Sequence, residues 1–262
     1  MKINVCFIII SLSLCCLFSS FPPIISAADP SSIWRKDTLS FSGYRWSTKN
    51  GYYAPGSNHW NSRNVWVDEN GYLHLQLTQN KSKWQCAEVV ASELFGYGLY
   101  RFQVVGPVDQ LDENAVLGLF LYPGPTLPFK VNNEIDIEFA RWGSAGSPQG
   151  NFTVSPITKK YSFQLEGQYT THQFLWLPDR IEFASFHGHD EPVDNAMLSS
   201  WVFRPEGRAK IPLPPLELHI NYWLFKGQPP VQPVHPEIII RKFEYFPAHN
   251  GVLTMLTGNS LN

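Results

Sequence analysis

Between Asn133 and Phe139 the chain reads NEIDIEF, and this stretch constrains the fold more than any other. Successive side chains on a β-strand point to opposite faces, so Glu134, Asp136 and Glu138 share one face while Ile135 and Ile137 share the other. The apolar face suits burial against a second sheet. The acidic face then carries three carboxyls in a row, which repel one another more strongly on burial unless some are protonated. The bland alternative is a solvated strand with chance acidity, which suits a lone Glu-x-Asp better than a five-residue alternation with β-branched partners. Carboxyls held in unequal protonation states are what glycosidic bond cleavage requires: one protonates the leaving oxygen, the other attacks the sugar or activates water. Four residues of strand separate the outer Cα atoms by roughly 13 Å. How far the side chains converge decides between the ~5–5.5 Å spacing of a retaining site and the ~6.5–9.5 Å of an inverting one.

The first 28 residues read as a leader rather than part of the fold. Lys2 gives a minimal positive start, Val5 to Phe18 an apolar run, and Ser26-Ala27-Ala28 small residues for cleavage. The run is short for a membrane span, so a secreted or periplasmic protein is expected, with residues 29–262 as one catalytic domain. Three of the four cysteines leave with the leader, and Cys86 alone cannot form an internal disulfide. Stability must come from core size. The net charge of −2, near −3 once Lys2 is removed, is scattered along the chain and points to neither nucleic acid nor an anionic membrane. Nine tryptophans exceed what a core of this size needs and suit sugar faces, which stack on aromatic rings.

Strands are expected at Asn64–Asp68, Tyr72–Leu77, Trp84–Ser92, Gly96–Val104, Asn114–Tyr122, the acidic stretch, Asn151–Val154, Tyr161–Glu166, His172–Leu177, Arg180–Phe186, Leu216–Leu224 and Glu237–Phe246. Gly51–Asn64, rich in Gly, Asn and Ser, reads as a loop, and Met197–Phe203 fits either a short helix or a strand. No stretch keeps a 3.6-residue period. Short strands punctuated by Gly, Pro and Asn indicate an all-β sandwich with one core.

The EIDIE strand resembles the signature of glycoside hydrolase family 16, in its unbulged branch of lichenases and xyloglucan-active enzymes. Further segments resemble the family: NVWV to GYLHL (residues 64–75), CAEV (86–89), FGYGLY (95–100), His172 to Pro178, and Asn221-Tyr222-Trp223. The resemblance implies a jelly-roll sandwich of two curved antiparallel sheets with an open concave cleft. It also implies a retaining, endo-acting β-glycosidase on a β-glucan or related polysaccharide. Glu134 would be the nucleophile, Glu138 the acid/base and Asp136 the carboxyl that tunes both. Glu88, Asn151, Asn221 and Trp223 would contact sugar. Trp142, Tyr97 and Trp60 are weaker sugar platforms, equally suited to packing. The chain departs from the lichenase pattern where Val90 replaces an arginine, Asn132 a tryptophan, and FASFHG (183–188) the usual W-Y-x-D-G hairpin.

Two other readings use the same stretch: an endotransglycosylase, in which a sugar hydroxyl replaces water, and a non-catalytic lectin-like sandwich, which has no need of a costly carboxyl row. The partner is a polysaccharide, the expected state a monomer, and no cofactor is required. A structural calcium ion occurs in relatives, but no acidic loop here demands one. The histidines are scattered, without a third ligand at metal spacing beside His187 and His189.

Overall fold

A computed structural model describes residues 34–124, 133–189, 196–207, 209–232, 237–249 and 252–253. The expected leader and Asn132 lie outside these residues. Among them there is no α-helix, only single 3-10 turns at Ser62–Asn64 and Phe225–Gly227. In chain order the strands are β1 (Trp34–Phe41), β2 (Tyr44–Lys49), β3 (Gly51–Tyr53), β4 (Asn58–Trp60), β5 (Val65–Val67), β6 (Leu73–Gln76) and β7 (Thr78–Asn80). They continue with β8 (Lys83–Phe95), β9 (Gly98–Val105), β10 (Ala115–Tyr122), β11 (Ile135–Ala140), β12 (Gly150–Val154), β13 (Ile157–Tyr161) and β14 (Tyr169–Trp176). The last are β15 (Ile181–His187), β16 (Met197–Phe203), β17 (Leu216–Leu224), β18 (Glu237–His249) and β19 (Val252–Leu253).

Two sheets form the sandwich. One runs β1-β2-β8-β17-β10-β11-β12-β13, with β3, β4 and β7 gathered about β8; the other runs β16-β15-β14-β9-β18-β6-β5. Every pairing is antiparallel except β4 with β8. This is the expected jelly-roll architecture, and the acidic strand β11 lies inside the first sheet, between β10 and β12.

The alternation of β11 is kept in its burial. Ile135, Ile137 and Phe139 are fully buried on the inner face, whereas Glu134 and Glu138 stay partly open on the other. Phe139 lies 4.6 Å, ring to ring, from His172 of β14, and Phe152 of β12 stacks at 5.0 Å on Phe183 of β15. Near the opposite edge, Trp46 of β2 meets Phe243 of β18 edge-on at 6.0 Å. Aromatic pairs thus tie the sheets together along the width of the sandwich, adding to the area that they bury. His172 is accommodated because Thr170 and Ser185 hydroxyls engage both ring nitrogens at 2.9 Å. Burial lowers its pKa to about 3, so the ring is neutral and serves the core. Cys86 is a buried free thiol whose Sγ donates to Asn58 Oδ1 at 3.3 Å.

Two local expectations are corrected and one open alternative is decided. Gly51–Asn64 is not merely a loop: it contains the β3–β4 hairpin, whose three-residue strands are too short to show a period. Tyr161–Glu166 is not a strand. The strand is β13, ending at Tyr161, and its exposed Thr-Lys-Lys centre hides the apolar alternation. Met197–Phe203 is strand β16, fixed by its pairing with β15.

Ile137 has no exposure and faces the second sheet, so truncation leaves a cavity that the rigid strand closes poorly. Ile137→Ala is expected to cost about 2–5 kcal/mol and Ile137→Val about 0.5–1.5 kcal/mol. Both are read from denaturant midpoints at unchanged slope.

Candidate active site

Strand register aligns the outer face of the first sheet into rows. Glu138 stands opposite Asn151 of β12 on one side and Gly118 of β10 on the other; Gly118 in turn faces Asn221 of β17, and Asn221 faces Glu88 of β8. The next row holds Thr153, Asp136, Phe120, His219 and Val90. Beyond it, Tyr122 pairs with Glu217, and Glu134 continues β11 with its carbonyl accepting from Ser155 N–H at 3.2 Å. Three acids of one strand therefore meet three polar residues of β17, laid down by the same two-residue period.

Gly118 is needed where it is. A Cβ there would lie 2.5 Å from Asn221 Oδ1, so the missing side chain lets the Asn221 amide lie across β10 toward Glu138. Asn221 Oδ1 and Asp136 Oδ1 are both buried without a hydrogen-bond partner. Polar atoms left unpaired at the centre of a sheet cost stability unless something else engages them, which marks this spot as built for a ligand or a shared proton.

The three carboxyls are driven toward unequal protonation. Burial raises Glu138 to about 8, helped by the negative charge of Glu134. Asp136, buried between its two neighbours, is pushed well above the ordinary carboxylate range by burial and then by both charges. Burial also raises Glu134, but the nearby His219 cation opposes that rise. Glu134 is thus the member of the row whose rise a cation opposes. Glu138, near 8, keeps its proton at neutral pH, and of its two neighbours Asp136 is pushed upward by both flanking charges while Glu134 is opposed in its rise by His219.

The sugar-contact residues expected from sequence fall into two groups. Asn221, Trp223 and Glu88 share the outer face with the acids, all largely buried. Trp142, in a left-handed backbone conformation just after β11, is partly open and meets Trp223 (6.4 Å) and Phe225 (5.4 Å) edge-on. It is the best-placed aromatic platform beside the row. Asn151 is fully buried and acts as a brace: its Oδ1 accepts from Trp142 Nε1 at 3.2 Å, while Nδ2 donates to the carbonyls of Glu138, Ala140 and Gln149.

Tyr97 and Trp60 are not brought to the acids. Tyr97 occupies the turn between β8 and β9 and packs on Trp176 of the second sheet at 5.0 Å. Trp60 is buried, its Nε1 donates to the Tyr53 carbonyl, and Lys49 Nζ sits 4.1 Å above its ring. An aromatic beside glycine or asparagine reads the same in sequence whether it packs or protrudes.

Sequence reasoning overlooked Lys49 and His219. Lys49 Nζ donates to Glu88 Oε2 at 2.8 Å and to the Ala54 carbonyl at 2.8 Å. His219 Nδ1 lies 3.1 Å from Glu88 Oε1 and Nε2 lies 3.5 Å from Glu217 Oε2. Burial alone would raise Glu88, but Lys49 and His219 outweigh it and hold the carboxyl below its ordinary value. The missed signal was present: in LELHINYWL the residues Glu217, His219, Asn221 and Trp223 alternate with apolar ones as plainly as EIDIE does.

No family model matches the chain. It is 27% identical over 208 residues to a β-glucanase of Paenibacillus macerans, spanning 76% of this chain and 79% of that protein. Among solved structures, Bacillus licheniformis β-glucanase superposes with a TM-score of 0.57 at 23% identity, covering 79% of this chain and 94% of the other. A glycoside hydrolase family 16 endo-glucanase from Bacteroides ovatus superposes with a TM-score of 0.57 at 14% identity, covering 76% and 94%. In sequence and in fold, the chain resembles glycoside hydrolase family 16.

Proposed function

We propose that this chain is a secreted, endo-acting glycosidase that cleaves internal β-glycosidic bonds of a β-glucan or related polysaccharide with retention of configuration. The observation that carries the reading is the acid row on the outer face of β11, with Glu138 at a pKa of about 8 and Glu134 opposed in its rise by a cation. The likeness to β-glucanases supports the substrate class.

In the first step Glu138 donates its proton to the glycosidic oxygen while Glu134 attacks the anomeric carbon. The carbon–oxygen bond breaks, the leaving chain departs as an alcohol, and a glycosyl ester forms on Glu134. Esterification removes the negative charge of Glu134, one of the two causes that raise Glu138. The Glu138 pKa therefore falls, and Glu138, now a carboxylate, stays ionised until water arrives. It then takes a proton from that water, the oxygen attacks the anomeric carbon, and Glu134 leaves as a carboxylate. Asp136 lies between the two on the strand, where its own proton limits the charge that they feel. Trp142 offers a sugar-stacking ring at the Glu138 end, and Asn221 an amide that reaches into the row.

The purified protein is to be incubated with mixed-linkage glucan, laminarin, xyloglucan, agarose, carrageenan and β-galactan, and the products sequenced. Internal cleavage of a β-glucan, with the β-anomer seen first by proton NMR, is the expected result. Tight binding without cleavage would favour the lectin-like reading, and lengthened products a transglycosylase. Glu138→Gln is expected to lose about 10²–10⁴-fold in turnover, and Glu134→Gln to lose it altogether, with far-UV circular dichroism unchanged. Near-wild-type turnover in either variant defeats the role assignment.

Since Glu138 acts first as an acid, kcat/KM is expected to fall as pH rises through about 8. A substrate-free check follows from linkage. The folded pKa of Glu138 is raised, so between its ordinary 4.5 and about 8 the native state holds a proton that the unfolded chain has released. Its contribution makes stability decline as pH rises across that window. Glu138→Gln is expected to flatten the decline in denaturation curves taken from pH 5 to 8.

A further inference from the structure

Beside the acid row, on the same outer face of the sheet, lies a mixed-charge layer that the cleavage steps leave unused. It begins at Lys49, whose ammonium rests over Trp60 and bonds to Glu88, passes through Glu88 to His219, and ends at Glu217. Lys49, Glu88 and His219 are buried. A neutral imidazole has one donor nitrogen and one acceptor nitrogen, whereas His219 presents both nitrogens to carboxylate oxygens, at 3.1 Å and 3.5 Å. The imidazolium carries a proton on each nitrogen: Nδ1 hydrogen-bonds Glu88, and Nε2 makes a longer ion-pair contact with Glu217.

The ring is also fixed in its plane. It stacks on Phe120 at 4.9 Å with an interplanar angle of 20°, and Tyr122 approaches it edge-on at 6.4 Å. Phe120 and Tyr122 belong to β10, the strand between His219 and β11. Phe120 pairs directly with Asp136, so His219 is one strand removed from the middle of the acid row. Val90, directly opposite on β8, brings no charge of its own. The charged and titratable groups around the imidazole are therefore Glu88 and Lys49 from β8 and β2, Glu217 from its own strand, Tyr122 from β10, and Glu134 with Asp136 from β11.

We propose that His219 is a positioning residue for the cleavage reaction: an imidazolium clamped between Glu88 and Glu217 whose charge selects Glu134 as the ionised member of the acid row. This rests on the function proposed above. With Asp136 and Glu138 protonated, three carboxylates (Glu88, Glu217, Glu134) remain against two cations (Lys49, His219). The one surplus negative charge resides on the proposed nucleophile. The electrostatics of the row run the same way, since the His219 charge opposes the rise of Glu134. Removing the imidazolium would leave the outer-face acids with less to favour ionisation at Glu134, and the row would hold its protons to higher pH.

Two measurements on the full chain test this. The His219 ring signal, assigned by its loss in His219→Gln, is followed by NMR titration in the wild type and in Glu217→Gln and Glu88→Gln. Titration above the ordinary 6.5 of histidine, falling in both carboxyl variants, is expected; a wild-type midpoint at or below 6.5 overturns the clamp. Next, kcat/KM is measured against pH for the wild type and His219→Gln, which keeps a polar group but no charge. The acidic limb is expected to move to higher pH by about one unit, a roughly tenfold loss on the acid side that is largely recovered at the optimum. An equal loss at every pH, or a change in melting temperature alone, means a structural role and overturns the proposal. A wild type inactive on every glycan overturns the proposed function, and the positioning role with it, while the NMR titration still decides whether the clamp exists.

Discussion

Repulsion between like charges on one face of a strand is the constraint around which the molecule is arranged. β-strand geometry gives Glu134, Asp136 and Glu138 a common direction, and register forbids any of them to turn inward without dragging Ile135 and Ile137 out of the core. The charges cannot be separated, so they are managed. Burial pushes all three upward, their mutual charges push Asp136 and Glu138 further, and at Glu134 the His219 cation opposes the rise. The apolar half of the same strand supplies the stability that the acidic half uses up. This division makes a strand, and not a loop, a suitable carrier for opposed protonation states.

The neighbouring strands extend the same solution. β10 contributes an absence, the missing side chain of Gly118, through which the Asn221 amide reaches across. β17 contributes Glu217, His219, Asn221 and Trp223 on one face. β2 and β8 contribute the Lys49–Glu88 pair, and Trp60, although removed from the acids, supports the Lys49 ammonium. A buried ion pair adds little net stability, yet breaking one side leaves a buried charge at a cost of several kcal/mol. Such a pair is better understood as a fixed electrostatic reference than as glue. On β8 Val90 brings no charge and Glu88 a negative one, so the cations of that layer come from the strands on either side of β8.

Much of this was legible in the sequence. The period-two alternation of EIDIE announced a strand, its two faces and the acid row, and Gly/Pro/Asn punctuation announced a sandwich. Cys86, the one cysteine among the described residues, is a buried free thiol, as expected for a chain without an internal cross-link there. Other features were hidden for physical reasons. The β3–β4 hairpin is too short to display a period, and β13 carries lysines where an apolar rhythm would have shown. Tyr97 and Trp60 looked like Trp142 because local sequence does not say which side of a sheet a turn aromatic will meet. The alternation of LELHINYWL was visible, but its partners were not: strand pairing between β17 and β8 is a long-range fact that neither segment contains.

That separation has a bearing on how the protein matures. Glu88 and His219 touch across 131 residues of intervening chain, and β17 separates β8 from β10 in the finished sheet. During synthesis the acid strand emerges long before the histidine meant to sit near it. Closure of so distant a contact is slow by topology alone. Until it happens, a growing chain carries its acids without their counter-charge, so the proposed chemistry waits on a segment made about 80 residues after the acids themselves.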